Sequence, residues 1–421
     1  MHRHNLLDGN FRSMDDMRHT LETGISNSDV LALAQTLQAD PLPRIKNERL
    51  IDNVQLARSV FKPNAYYGTR LANDQQVLVD VDEFGAQDID LFVTDHEGIP
   101  KNRLSDKNTS QRVKLARQQG KKVITFFGGS TIMGTGSRLP SFTIPSLVEQ
   151  ILLLNYQIDT VCVNRGILGM TSQDSFNMLN AEGFIEPADC VIFYTGWNCV
   201  FNQSAIHALL ETDSSALKSE TYPGMSTRHI EHGMLLQHQF NTTLAWRRAR
   251  WITINKVLTR ISGALSAPRG RKLVNQILKS DPTVNHSFMS EVIEAITRGN
   301  ADEIAAKSAQ DYLRIHRLAH ACCKSERTQF FNFLQPCLSW GHKPMSTSEQ
   351  DYVSNSPPMG GVQRKFYEQV MSHSKPDYFH DLTQIFDTVS KQAYIDTGHL
   401  NPYGNFLVAE KIAAQIAPAL N

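Results

Sequence analysis

Apolar residues along this chain follow two patterns, one recurring at three and four residues and one forming short unbroken runs. The first predicts helices and the second buried strands. Up to about residue 60 the helical spacing dominates. Leu31, Leu33, Ala34 and Leu37 form one stripe, with Asn27 or Ser28 placed to cap it, and Ile51, Val54, Leu56, Ala57 and Val60 form another. Pro41 and Pro43 separate the two. From Tyr66 to Leu104 the pattern turns to short β-like pieces, QQVLVDVDEFG and IDLFVTD, broken by Gly85 and Gly98. They predict a hairpin-like leader packed on the edge of a main sheet.

The remainder is a periodic series. A strand over 122–127 leads through Gly128 and Gly129 to a helix around Ile144 to Tyr156, whose first turn tolerates Pro145. Thr160 to Val163 is a second strand, followed by the loop NRGILGMTSQDS and a helix capped by Thr171 or Ser172. Cys190 to Tyr194 and Gln329 to Leu334 are the third and fourth strands. Gln392 to Ile395 reads as a short fifth, before a C-terminal helix from about Tyr403. Strands alternating with helices predict an α/β fold, a parallel sheet with right-handed crossovers between helical layers. The third and fourth strands lie roughly 130 residues apart, far beyond what a crossover needs, so an insertion is expected there. Its last part, Ala301 to Ala321, has the spacing of a helix returning to the fourth strand.

Composition narrows the class of partner. The 42 basic and 42 acidic side chains cancel, which removes the global electrostatic signature of a nucleic-acid binder. Basic charge is concentrated locally: Arg247 to Lys279 holds nine Lys or Arg and no acid, with Trp251, Ile254, Leu258, Ile261 and Leu265 at helical spacing. That stretch fits an amphipathic helix packed on the domain with a solvated basic face, or a contact with an anionic membrane or partner. The N-terminus has acids where a signal peptide needs an apolar core, and the longest aliphatic run is Ile151 to Leu154. A cytoplasmic protein is the expectation. The six cysteines show no repeated CxxC spacing, which predicts free thiols.

The chemistry concentrates just after the predicted strands. In Lys121 to Gly136, KKVITFFGGSTIMGTG, a buried strand stops at two glycines and delivers Ser130 to the carboxyl edge of the sheet. Gly169 follows the second strand, Asn198 the third, and Asp396 with His399 the fifth. In a parallel sheet those loops converge on one edge, where open α/β folds bind ligands. Acyl transfer by a serine needs a nucleophile, a base, a group that orients the base, and donors for the oxyanion, and this edge offers a candidate for each. Taken singly, each residue has a plainer reading: Ser130 a turn residue, Asn198 a helix cap, Gly169 a positive φ, His399 a loop histidine.

GGST at 128–131, ILGMTSQ at 167–173, TGWN at 195–198 and DTGH at 396–399 resemble, in order, the signature blocks of the SGNH (GDSL-like) hydrolase superfamily. The GGST form and the TIPSL segment at 143–147 are most similar to bacterial members found with surface-polysaccharide enzymes. The likeness covers about 121–211 and 326–418. It implies a three-layer αβα sandwich with a flavodoxin-like five-stranded parallel sheet. Residues 1–120 would be a leader packing on the core, and 121–421 a catalytic domain with a helical insertion at about 212–325. It also implies Ser130 as nucleophile and oxyanion donor, Gly169 and Asn198 as further donors, His399 as base and Asp396 as its orienter, with no cofactor or metal. The implied reaction is hydrolysis of an acyl ester, O-acetyl on a saccharide being preferred. Acyl transfer at the same site, or glycan binding and assembly without catalysis, are the alternatives. Two positions depart from the family pattern: Gly129 stands where an acidic residue is usual, and Cys199 where Asp is common.

Two other arrangements compete. The glycines at 128, 129, 134 and 136 form a run able to cradle phosphate, although the run fits neither GxGxxG nor the Walker pattern. His316 and His320, followed by Cys322 and Cys323, and separately His229, His232 and His238, suggest metal ligands without completing a ligand set.

Overall fold

The computed structural model describes residues 6–37, 44–46, 61–64, 68–71, 73–83, 86–106, 108–183, 188–199, 301–355 and 360–420. The second predicted stripe (51–60), the Pro41 and Pro43 pair, the basic stretch 247–279 and His229, His232 and His238 lie outside them. Among the described residues no helix is long and apolar enough to cross a membrane.

The N-terminal part begins with helices α1 (Met14–Thr23) and α2 (Asn27–Ala34). Ser26, not Asn27 or Ser28, caps α2, in a reciprocal capping box with Asp29. Asn27 is used differently: its side-chain oxygen accepts from the Ile89 N–H at 3.1 Å and from the Arg138 guanidinium at 2.6 Å. Strand β1 (Arg44–Lys46) lies in the gap between the two predicted helical stripes. After the antiparallel pair β2 (Phe61–Asn64) and β3 (Gly68–Leu71) comes the predicted hairpin, β4 (Gln76–Glu83) and β5 (Ala86–Val93). The hairpin does not extend the main sheet. It forms a separate three-stranded sheet in the order β1-β4-β5, with β1 parallel to β4.

Beyond α3 (Thr109–Gln118) lies the main sheet. Its members are β6 (Lys122–Gly128), β7 (Thr160–Gly166), β8 (Cys190–Thr195), β9 (Gln329–Leu334) and β10 (Phe379–Asp381). The order is β10-β9-β8-β6-β7 and every pairing is parallel, which is the flavodoxin-like arrangement. β6 is buried from Val123 to Gly128 because both its faces are covered. Ile124 and Phe126 join one core with α5 (Ile144–Tyr156) and the C-terminal α10 (Pro402–Leu420). Val123 and Phe127 join another with α3, α6 (Ser172–Met178) and α7 (Ala301–Ser325). Fully burying each of these aromatic or aliphatic side chains contributes about 1.5–3 kcal/mol, so the central strand is anchored from both sides. The α/β three-layer architecture therefore follows the expectation. On the second face α7 packs against α9 (Gly360–Ser372), the helix that follows α8 (Thr347–Asn355). All six cysteines are free thiols and, except for Cys322, buried.

The fifth strand is not where the sequence pattern put it. Gln392–Ile395 joins no ladder, because the N–H groups of Ala393 and Tyr394 donate instead to the Glu349 carboxylate at 3.0 and 3.2 Å. Only an isolated antiparallel bridge, Tyr394 to Leu400, closes the loop around the DTGH segment. The edge position is filled by β10, three residues long and held by stacking of His380 on Phe333 at 4.9 Å. Three residues with a histidine in the middle give no apolar run to read.

Register brings the strand ends level. Gly128 pairs with Gly166 on one side and with Tyr194 on the other, and Thr195 pairs with Leu334. The loops leaving β6, β7, β8 and β9 thus emerge at one edge.

Candidate active site

Ser130 opens a four-residue helix, α4 (Ser130–Met133), directly after β6 and is 4% exposed. The glycines before it are places where neighbours crowd the backbone. A side chain at 128 would lie 2.6 Å from the Tyr194 carbonyl oxygen and 2.7 Å from Ile132 Cγ1. One at 129 would lie 2.2 Å from Asn198 Nδ2. The space beside position 129 is therefore filled by the Asn198 carboxamide. That amide donates to the Met170 carbonyl at 3.1 Å, and the Ile167 N–H donates to the Gly128 carbonyl at 3.1 Å. Together these bonds hold the loop after β7 against the serine turn. Gly169 sits in that loop with φ +71°, in the left-handed region that glycine enters without strain. Gly166, by contrast, is glycine because α4 approaches it: a Cβ there would be 2.2 Å from the Met133 nitrogen.

Across the edge, His399 Nε2 lies 2.5 Å from Ser130 Oγ, and its Nδ1 is hydrogen-bonded to Asp396 Oδ2. A carboxylate only accepts, so Nδ1 carries the proton and the Nε2 lone pair faces the serine hydroxyl. The other carboxylate oxygen, Oδ1, accepts the backbone N–H groups of Gly398 and His399 at 2.7 and 2.6 Å. Burial by itself pushes the Asp396 carboxyl up. The charge and hydrogen bonds of His399, with the Gly398 amide, outweigh it and hold the carboxyl down at about 2. The spacing of three between Asp396 and His399 works because the turn between them folds both side chains onto one side.

Several buried contacts fix this loop, and sequence pattern pointed to none of them. Glu349 is fully buried and is paired with Lys343 at 2.7 Å. Burial pushes its carboxyl up, but the Lys343 ammonium and the backbone donors hold it below the usual range, which keeps it an acceptor for the segment leading to Asp396. On the opposite side, Asp90 of the N-terminal hairpin accepts from the Gly136 and Arg138 N–H groups at 2.7 and 3.1 Å. Gly136 in turn abuts the Leu400 carbonyl, which a Cβ at 136 would approach to 2.5 Å. The glycine run after Ser130 is thus no open anion cradle: its Gly134 amide donates to the Ser130 carbonyl and its Gly136 amide to Asp90.

The remaining candidates fall elsewhere. His316 is buried under β8, where Nδ1 donates to the Tyr312 carbonyl at 2.6 Å and Nε2 accepts from the Thr195 hydroxyl at 3.1 Å. Burial pushes its pKa down to about 3, so it is a neutral core residue. His320 stacks on Tyr378 at 4.4 Å. Among the described residues no group of three His, Cys, Asp or Glu is placed to hold a metal ion. Cys199 packs as a neutral thiol: burial raises it to about 11, and its sulfur accepts the Ser172 N–H at 3.2 Å. Ser172 heads α6, whose N-terminus Thr171 caps in a box with Asp174.

The chain matches no protein-family model and no curated protein. Among solved structures it is similar to a lipase/acylhydrolase from Enterococcus faecalis, at 13% identity over 71% of this chain and 96% of that one, with a TM-score of 0.32. It is also similar to the acetyl xylan esterase AlAXEase, at 13% identity over 70% and 99% of the two chains, with a TM-score of 0.31. A mutant of Axe2, an acetyl-xylooligosaccharide esterase from Geobacillus, gives 15% identity over 70% and 94%, with a TM-score of 0.33. Likeness at this level assigns this chain neither a family nor a substrate.

Proposed function

We propose that this chain is an SGNH-type serine esterase acting on acyl esters, with O-acetyl groups of a saccharide as the preferred substrate class. The observation that carries the reading is the unbroken line from Ser130 Oγ to His399 Nε2 and from His399 Nδ1 to Asp396. The saccharide preference rests on the similarity of the GGST and TIPSL segments to members found with surface-polysaccharide enzymes.

In the first half-reaction the Ser130 oxygen forms a bond to the ester carbonyl carbon while its proton passes to His399 Nε2. Ionised Asp396 stabilises the imidazolium so formed. The carbonyl oxygen becomes an oxyanion, for which the Ser130 and Gly169 N–H groups and the second N–H of the Asn198 amide are the assigned donors. Collapse breaks the bond to the alcohol, which leaves with the proton from His399, and Ser130 remains acylated. Water then gives its proton to His399 and its oxygen to the acyl carbon. Release of the carboxylic acid returns the proton to Ser130.

Mass spectrometry after incubation with a panel of acylated saccharides and with a fluorophosphonate tests nucleophile and substrate class together. The expected result is an adduct on the Ser130 peptide and on no other serine, with acetyl release from at least one saccharide. An adduct elsewhere, or none, overturns the reading. The crowding at Gly129 gives a second expectation. In Gly129→Ala the new methyl displaces the Asn198 amide, because a side-chain end yields more easily than backbone. Loss of one oxyanion donor costs about 10²-fold or more in kcat. Turnover of p-nitrophenyl acetate unchanged in that variant would remove Asn198 from the oxyanion hole.

A further inference from the structure

The Ser130–His399 contact joins parts of the chain 269 residues apart, yet neither residue is held to the other by secondary structure. What holds their separation lies at the end of β9. Gln335, 5% exposed, projects its carboxamide between the two loops. Its Nε2 donates to Thr131 Oγ1 at 3.1 Å and to the Gly398 carbonyl at 3.1 Å. Thr131 directly follows the serine and Gly398 directly precedes the histidine. A carbonyl can only accept, so the amide orientation is fixed by Gly398, and the nitrogen's two hydrogens match its two partners.

Gln335 is itself held on three counts. Its N–H donates to the Thr195 carbonyl at 3.0 Å, its carbonyl accepts from the Tyr367 hydroxyl at 2.8 Å, and Pro336 stiffens the chain that follows. Beside it the Leu338 N–H donates to the Thr397 carbonyl at 3.1 Å, and the Trp197 ring covers the other side of Gly398, 2.8 Å from where a Cβ would stand. The carboxamide thus belongs to the rigid sheet edge and grips two loops that the sheet alone leaves independent.

We propose that Gln335 is a positioning residue of the active site, one buried carboxamide nitrogen that bridges the neighbours of Ser130 and His399 and so fixes the distance across which the proton moves. The proposal rests on the serine-esterase reading above. Gln335 touches no reacting atom; it acts through Thr131 and Gly398. A displacement of about 1 Å between reacting groups costs on the order of 10²-fold in rate, while substrate binding, made elsewhere, is spared.

The test is steady-state hydrolysis of p-nitrophenyl acetate together with the rate of fluorophosphonate labelling of Ser130, on the full chain and its variants. Gln335→Met keeps length and volume but donates nothing. It is expected to lower kcat and the labelling rate by about 10- to 100-fold with KM changed less than about threefold. Thr131 supplies the control that packing cannot imitate. Thr131→Val keeps the shape and loses the acceptor, whereas Thr131→Ser loses a methyl and keeps it. The clamp predicts the larger loss in Thr131→Val, and a packing role predicts the larger loss in Thr131→Ser. The double variant Gln335→Met with Thr131→Val is expected to cost little more than Gln335→Met alone, since both remove the same bond. Should Gln335→Met fail to fold, the Val and Ser comparison at 131 decides by itself. A parent that is labelled and variants that keep its rate, or the reverse order at 131, overturn the clamp. A parent that is never labelled at Ser130 overturns both the clamp and the esterase reading beneath it.

Discussion

Ser130→Ala is expected to remove ester hydrolysis, lowering kcat for p-nitrophenyl acetate on the order of 10⁴- to 10⁶-fold, the scale on which a nucleophile acts as part of a unit with its base. The cause is local. Alanine deletes the one oxygen placed 2.5 Å from His399 Nε2 and changes nothing in the turn, whose shape is set by the contacts around Gly128 and Gly129. The fold loses one hydrogen bond, worth about 1 kcal/mol. The thermal midpoint of a chain this long is therefore expected to fall by only about 1 °C. Activity within about tenfold of the parent, in a variant with that midpoint, would displace Ser130 from the mechanism.

Asp396→Asn tests the base from the other side. The carboxylate accepts from Nδ1–H, and an amide nitrogen turned toward the ring would donate to Nδ1 instead. The proton would then sit on Nε2, facing Ser130 with no lone pair to receive its proton. Inverting the tautomer in this way costs about 10⁴-fold in kcat. The pH dependence separates this from simple unfolding. Asp396 is held down at about 2, so it stays ionised across the working range. The acid limb of kcat/KM in the parent is therefore expected to follow one proton, taken up by His399 Nε2. Stability follows the same carboxyl with a defined sign. Its folded value lies below its unfolded value, so its contribution is present above about pH 4 and is lost as pH falls from about 4 toward about 2. In Asp396→Asn the fall over that window should be shallower in urea unfolding curves. A variant retaining more than about a tenth of the parental kcat would show that His399 needs no such orienter.

The strands from β6 to β9 were legible because a strand covered on both faces needs apolar residues at consecutive positions, and Ile124, Phe126 and Phe127 advertise that directly. Ser130 was legible for a related reason: two glycines ending such a run mark a tight turn at the sheet edge, although the crowding by Tyr194, Ile132 and Asn198 that requires them was visible only in the structure. β10 was not legible, since an edge strand of three residues held by a stacked histidine carries no pattern of its own. The short run Gln392–Ile395 resembled a strand, yet its Ala393 and Tyr394 amides were taken by Glu349, a partner more than forty residues away. Asn27 passed for a cap and instead ties the hairpin to Arg138.

By itself the sequence determined the class of fold and the edge at which the chemistry gathers, because hydrophobic period, glycine turns and the short DTGH spacing are local properties that each residue carries with it. Only the tertiary structure decided that Ser130 and His399 stand within hydrogen-bond reach, that the Asn198 amide fills the place beside Gly129, and that Asp90, Glu349 and Gln335 hold the loops. These are contacts between segments tens to hundreds of residues apart, made by single polar side chains, and a lone Gln or Glu looks the same in sequence whether it is solvated or buried with every hydrogen bond matched.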